Sequence, residues 1–285
     1  MEYNFNPISE TIMNKMKTSI STDELSVFLV EPSSLQARIV TKYLNDLGVL
    51  DTKVFQDGTS ALAAMREQQP DLTISSMYLA DMSGSTLVDM MRADAALSNI
   101  AFILISSEEN PLYLDAVRQS GACAILSKPF ELKELRTAIF TTLDYLNPGS
   151  LALDMDNFDI DNLRVLVVDD SSSARSYLIK VLKNIGIKNI TEAENGKRGA
   201  EMVQEYSFDL VITDYNMPEM DGQGLVEFIR NKSWQTAVPI MMITSERDAQ
   251  RLAAVKQAGV SAICDKPFEP SHIKNLIEQL FVPAR

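Results

Sequence analysis

The chain has 285 residues, 46% of them apolar, and a formal net charge of −13. That length suits two domains of ordinary size, each able to close its own core, and that charge makes nucleic acid a poor partner. Two cysteines without metal-type or disulfide spacing exclude a disulfide scaffold; Cys123 and Cys264, each inside a short apolar run, read as buried, inert thiols.

Residues 1–24 place Ile8, Ile12, Met13, Met16 and Ile20 at a loose helical spacing, which fits either one amphipathic helix or a frayed tail. The segment lacks the basic start and unbroken apolar stretch of a signal peptide, and nothing after it reaches membrane-spanning length. No membrane partner is expected, and the cytoplasm is the expected compartment. Residues 25–147 then set apolar runs at Val27–Val30, Thr52–Phe55, Leu72–Ser75, Phe102–Ile105 and Ala124–Leu126 between helical patterns. Asn147, Pro148, Gly149 and Ser150 stop a helix, and Asp154, Asp156, Asp159 and Asp161 mark an acidic linker over 148–163. Residues 164–285 repeat the alternation, with strand runs at Val165–Val168, Ile190–Ala193, Leu210–Thr213, Ile240–Ile243 and Ala262–Cys264. Runs that are apolar at every position suit strands buried on both faces, which requires a parallel sheet with helices above and below. The fold class is α/β, with one such sheet in each half.

A constant shift of 138 positions aligns the halves without a gap. It pairs Gly48 with Gly186, Gly58 with Gly196, Gly84 with Gly222, Gly121 with Gly259, and Lys128-Pro129-Phe130 with Lys266-Pro267-Phe268. The helix stripe Tyr177, Leu178, Val181, Leu182 and Ile185 recurs as Ile39, Val40, Tyr43, Leu44 and Leu47. Both halves are therefore expected to bury the same stripe.

The chemistry does not repeat. Asp169, Asp170, Asp214, Thr244 and Lys266 follow four different strand runs, and their counterparts are Glu31, Pro32, Ser76, Ser106 and Lys128. In a doubly wound sheet the ligand site lies beyond the carboxyl ends of the strands, so the five residues of the second half converge. Three carboxylates without compensation repel one another and invite a hard divalent cation, for which Mg²⁺ is the expected occupant. Asp214 is placed as a nucleophile toward phosphorus, with Lys266 and Thr244 supplying a cation and a hydroxyl to the new phosphoryl oxygens. Taken singly, an acidic pair after a strand is a helix cap and a Lys-Pro is a turn. Taken together, at the ends of four strands in this order, they specify one pocket.

Val167-Val168-Asp169-Asp170-Ser171, the run from Thr213-Asp214 through Asn216-Met217-Pro218 to Asp221-Gly222, Ile243-Thr244-Ser245 and Asp265-Lys266-Pro267-Phe268 resemble the receiver domains of two-component response regulators. The resemblance implies two flavodoxin-like (βα)5 domains in tandem and phosphorylation at Asp214. It also implies Mg²⁺ held by Asp170, Asp214 and the Asn216 carbonyl, with Asp169 joined through water. Asn216 and Glu246 fall where the family tunes attack by the hydrolytic water, and 248–280 fall on its signalling face. Ile263 departs from the aromatic residue that many receivers carry three positions before the lysine. The first half keeps Lys128 and Ser106 but has Ser76 for the nucleophile and Pro32 for a metal-binding acid. Glu31 is a weak metal site by itself, and Lys128 is expected to have lost its acidic partners. Residues 25–147 thus read as a pseudo-receiver used for contact or homodimerisation, with phosphorylation of Ser76 as the alternative.

The resulting expectation is a phosphorelay response regulator with no DNA-binding or enzymatic output domain, catalysing only its own phosphorylation and dephosphorylation. A histidine kinase, a phosphotransfer protein or a small acyl phosphate is the donor, and a downstream protein is the target. His272, near the start of the last helix, reads as a surface residue of the cap region and not as a phosphodonor. Two other classes stay open on the residues. One is a phosphatase or phosphotransferase using Asp169 or Asp170 as nucleophile; the other is an adaptor whose acidic site is vestigial.

Overall fold

The structure, a computed structural model, describes residues 19–108, 110–151 and 160–281. The expected N-terminal helix, apart from Ile20, and half of the acidic linker, 152–159, lie outside the described residues. The first half folds as β1 (Ser26–Val30), α1 (Ser34–Asp46), β2 (Asp51–Phe55), α2 (Gly58–Glu67), β3 (Leu72–Ser76), α3 (Gly84–Ala93), β4 (Ala101–Ser106), α4 (Pro111–Gln119), β5 (Ala124–Ser127) and α5 (Leu132–Leu146). After a 3₁₀ turn at Ile160–Asn162, the second half repeats it as β6 (Arg164–Val168), α6 (Ser172–Ile185), β7 (Asn189–Ala193), α7 (Gly196–Glu205), β8 (Leu210–Thr213), α8 (Gly222–Lys232), β9 (Ile240–Thr244), α9 (Ala249–Ala258), β10 (Ala262–Asp265) and α10 (Pro270–Phe281). Each strand starts and ends within one residue of the run that predicts it.

Both sheets are parallel throughout and share one order: β2-β1-β3-β4-β5 in the first half, and β7-β6-β8-β9-β10 in the second. This is the flavodoxin-like order, and the chain direction reverses across the sheet between β1 and β3, and between β6 and β8. The inner strands β3, β4, β8 and β9 are buried along their whole length. The edge strand β2 has no buried residue and β7 only one, Ala193, as an unpaired edge on one side allows. Local chemistry starts the helices: Ser33 and Ser171, at equivalent positions, accept the amides of Gln36 and Ala174 and cap α1 and α6.

The halves are joined by a continuous apolar core that runs from Leu135, Ile139 and Leu143 of α5 to Val181 of α6 and Ile273 of α10. Tyr145 stacks on Tyr177 with ring centroids 4.6 Å apart, and the Lys180 ammonium sits 4.0 Å from the Tyr145 ring centre. Asn184 Nδ2 donates to the carbonyls of Tyr145 at 2.8 Å and Asp144 at 3.1 Å. This docking corrects the expectation that both halves bury the same stripe. Tyr177, Leu178, Val181, Leu182 and Ile185 are all buried, whereas Ile39 is 45% exposed and Tyr43 and Leu47 are only half-buried. The reason is that α5 and the end of α4 cover α6, and among the described residues nothing covers α1 in the same way. Cys123 and Cys264 are free and buried. No helix among the described residues is long and apolar enough to cross a membrane.

Candidate functional site

Asp214 follows β8 directly, and its main-chain amide donates to Val168 O at 2.8 Å, which fixes the strand end beside β6. The start of α8 presses on this point: Gly222 N donates to Tyr215 O at 2.8 Å, and a Cβ on Gly222 would lie 2.1 Å from the Asp214 carbonyl oxygen. Glycine is required because backbone occupies that space. The Asp214 side chain is buried; Oδ1 accepts the Tyr215 amide at 2.7 Å, and Oδ2 lies 3.2 Å from Lys266 Nζ.

Lys266 arrives from the end of β10, where its amide donates to Thr244 O at 2.9 Å. Only 3% exposed, it places its ammonium 2.7 Å from Asp169 Oδ2 as well. Asp169, after β6, has its other oxygen held by the Ser171 amide at 2.9 Å. One carboxylate oxygen from each of Asp169, Asp170 and Asp214 lies within 4.8 Å of the others, with Asp170 exposed toward solvent. Burial would lower the Lys266 pKa, but the two carboxylates outweigh it and hold the ammonium above its ordinary value. Burial raises Asp169; Lys266 pulls it back, and the neighbouring Asp214 charge adds to the rise. Three acids against one ammonium leave the pocket net negative, with an exposed carboxylate at its mouth. That donor set fits a hard, oxygen-seeking divalent cation.

The remaining expected residues are distributed less evenly. Thr244, fully buried at the end of β9, uses its hydroxyl to accept the Glu246 amide at 3.0 Å. The Glu246 carboxylate turns to the start of α9, accepting the amides of Arg247 and Asp248 and the Arg251 guanidinium, each at 2.8 Å. Those amides hold its pKa low. Asn216 is exposed beyond β8, and His272 is exposed in the first turn of α10. Both Lys-Pro peptide bonds are cis, Lys128-Pro129 and Lys266-Pro267.

The corresponding place in the first half keeps the scaffold and changes the charges. Gly84 again lies against backbone, 2.6 Å from Ser76 O for a Cβ, and Ser106 Oγ accepts the Glu108 amide at 2.9 Å as Thr244 accepts Glu246. Ser76 donates its hydroxyl to Glu31 in a short hydrogen bond. Lys128 Nζ lies 3.0 Å from Glu31 and 3.1 Å from Ser76 Oγ, with Gln36 as a further partner. Lys128 has therefore kept one acidic partner, contrary to expectation, because Glu31 occupies the position of Asp169 and reaches the ammonium in the same way. With Pro32 and Ser76 in place of acids, Glu31 is the one carboxylate among the described residues paired with Lys128.

One residue of the second pocket comes from the first half: the Gln119 side chain contacts both Lys266 and Asp214. No motif signals it, because Gln119 aligns with Gln257, and a residue type shared by both halves marks neither as special.

Fold and pocket together define a doubly wound α/β protein with an acidic pocket at the switch point of one sheet. Within that class the family is specific: the response regulator receiver domain matches residues 27–140 and 165–278, and the chain belongs to this family as a tandem of two receivers. Over 120 residues it is 34% identical to chemotaxis protein CheY-3 of Vibrio cholerae serotype O1, spanning 42% of this chain and 92% of that protein. Over 119 residues it is 33% identical to chemotaxis protein CheY of Pseudomonas aeruginosa, spanning 42% and 96%. The solved structure of chemotaxis protein CheY4 from Vibrio cholerae is similar at 32% identity and a TM-score of 0.38, over 41% of this chain and 97% of that one.

Proposed function

We propose that this response regulator accepts a phosphoryl group on Asp214 and signals through protein contacts that depend on it. One observation carries the reading: the buried Asp214 carboxylate directs an oxygen at the Lys266 ammonium, within a set of acids suited to a cation. Because the Tyr215 amide fixes Oδ1, Oδ2, which faces the Lys266 ammonium and the Gln119 side chain, is the oxygen that attacks. The Oδ2–P bond forms as the bond from phosphorus to the donor breaks, and the donor's leaving atom keeps the electron pair. Lys266 then pairs with a phosphoryl oxygen, and the Thr244 hydroxyl, which accepts the Glu246 amide, turns to donate its own proton to another, which moves the loop before α9. Asp169, Asp170, Asp214 and the Asn216 carbonyl hold Mg²⁺ in this reading. When bound, the ion neutralises charge building on the transferred oxygens.

With Glu246 tied to the start of α9, control of hydrolysis falls to Asn216. The first half, whose Ser76 hydroxyl is bonded to Glu31, acts as a pseudo-receiver for contact. The donor is a histidine kinase, a phosphotransfer protein or a small acyl phosphate, and the target is a protein. Acetyl phosphate with Mg²⁺ is expected to add a phosphoryl mass to the wild type and none to Asp214→Ala, with chelation abolishing the gain while circular dichroism stays unchanged. Label that survives in Asp214→Ala refutes the assignment.

A further inference from the structure

Gln119 ends α4 in the first half, yet its side chain completes the pocket of the second. Its Oε1 accepts from Lys266 Nζ at 2.9 Å, and its Nε2 donates to Asp214 Oδ2 at 3.2 Å. The amide fits in this sense and no other, because an ammonium only donates and an ionised carboxylate only accepts. Its main-chain carbonyl accepts the Ser171 hydroxyl at 2.6 Å, so the residue is held at both ends. Two residues on, Gly121 adopts a left-handed φ of +71° and lets the chain lie on α6. A Cβ there would stand 3.0 Å from both Ser173 O and Tyr177 Cβ. The contact is thus part of the docked core and not a stray surface pair.

We propose that the first half is a built-in gate on Asp214: while α4 is docked, the Gln119 amide stands where phosphoryl oxygens must lie, so docking and phosphorylation exclude one another. The proposal rests on the reading that Asp214 is the phosphoacceptor. A phosphoryl group adds three oxygens at Oδ2, the atom that Gln119 caps, and it needs the ammonium that Gln119 engages. Coupling of this kind is reciprocal. A partner that draws α4 away speeds phosphorylation, and phosphorylation loosens α4 and α5 from α6, uncovering the Tyr145 and Tyr177 faces. Gln257, the counterpart in the second half, is exposed on α9. The gate therefore arises from how the halves dock and not from residue type.

The test uses the full chain as wild type, Gln119→Ala, Gln119→Glu and Asp214→Asn, treated with acetyl phosphate and Mg²⁺. Gain and decay of label are timed, and hydrogen exchange is followed over 113–121 and 172–181. Removing two hydrogen bonds to charged groups is expected to speed label gain by about a hundredfold in Gln119→Ala. Gln119→Glu should be slower than Gln119→Ala, since a carboxylate holds Lys266 and repels the incoming phosphoryl group. Labelling of the wild type should raise exchange in both segments. Equal rates of gain, with Asp214 still labelled, overturn the gate and leave the phosphoacceptor standing. Unchanged gain with slower decay in Gln119→Ala assigns the amide to hydrolysis and also overturns the gate. Absence of label in the wild type and both Gln119 variants instead removes the phosphoacceptor reading, and the gate with it.

Discussion

Tyr177 and Ile39 hold the same position in the two halves, and truncating each to alanine should cost very different amounts of stability. Tyr177 is 5% exposed and lies between two rings, Tyr145 at 4.6 Å and Phe268 at 5.3 Å; Ile39 is 45% exposed. A buried aromatic side chain removes on the order of 200 Å² from water, worth about 4–5 kcal/mol at about 25 cal/mol per Å². Measured costs of deleting buried rings, roughly 3–5 kcal/mol, agree. Ile39 gives up only part of its surface, so its loss should cost about 1 kcal/mol. The difference, about 3 kcal/mol, is measurable by equilibrium urea unfolding followed by circular dichroism. A double-mutant cycle of Tyr145→Ala with Tyr177→Ala should show a coupling of roughly 1 kcal/mol. If Tyr177→Ala and Ile39→Ala fall within about 1 kcal/mol of each other, the halves do not dock as described, and the gate on Asp214 falls too.

Two further outcomes follow from the same geometry. Gly222→Ala forces a Cβ to 2.1 Å from the Asp214 carbonyl oxygen, and should cost about 2 kcal/mol or more and slow labelling. Gly84→Ala, against Ser76 O, should lower the melting temperature while leaving the labelling rate at Asp214 unchanged; equal effects of both variants on labelling would refute the role of the β8–α8 junction. Burial pushes the Cys264 thiol up to about 12 and raises Cys123 above its ordinary value, so both stay protonated and shielded at pH 8. Iodoacetamide should then leave the native protein unmodified and alkylate both in urea. Rapid native alkylation of either, read by mass, would show that its surroundings are open.

The strands were legible because apolar runs and the glycines and serines that bound them act over a few residues. Asp169, Asp170, Asp214 and Lys266 were legible as a group because a parallel sheet gathers its strand ends, whatever the side chains. The contacts of Glu246 were not: its hydrogen bonds to Arg247, Asp248 and Arg251 depend on how α9 begins. Lys128 departs from its sequence expectation for a related reason: the loss of Asp170 and Asp214 equivalents conceals that Glu31 alone suffices to pair with it.

From the sequence by itself came a duplicated α/β chain with its acids in the second half, since periodicity, turn residues and the strand-end rule are all local or follow from a parallel sheet. Only the tertiary structure decided that Gln119 enters the second pocket, that Tyr177 is covered and that Ile39 is not. Two halves in register offer nearly the same faces, and a sequence cannot say which face of one meets which face of the other. Docking α4 and α5 of the first half onto α6 of the second breaks that equivalence, and with it the symmetry of the two pockets.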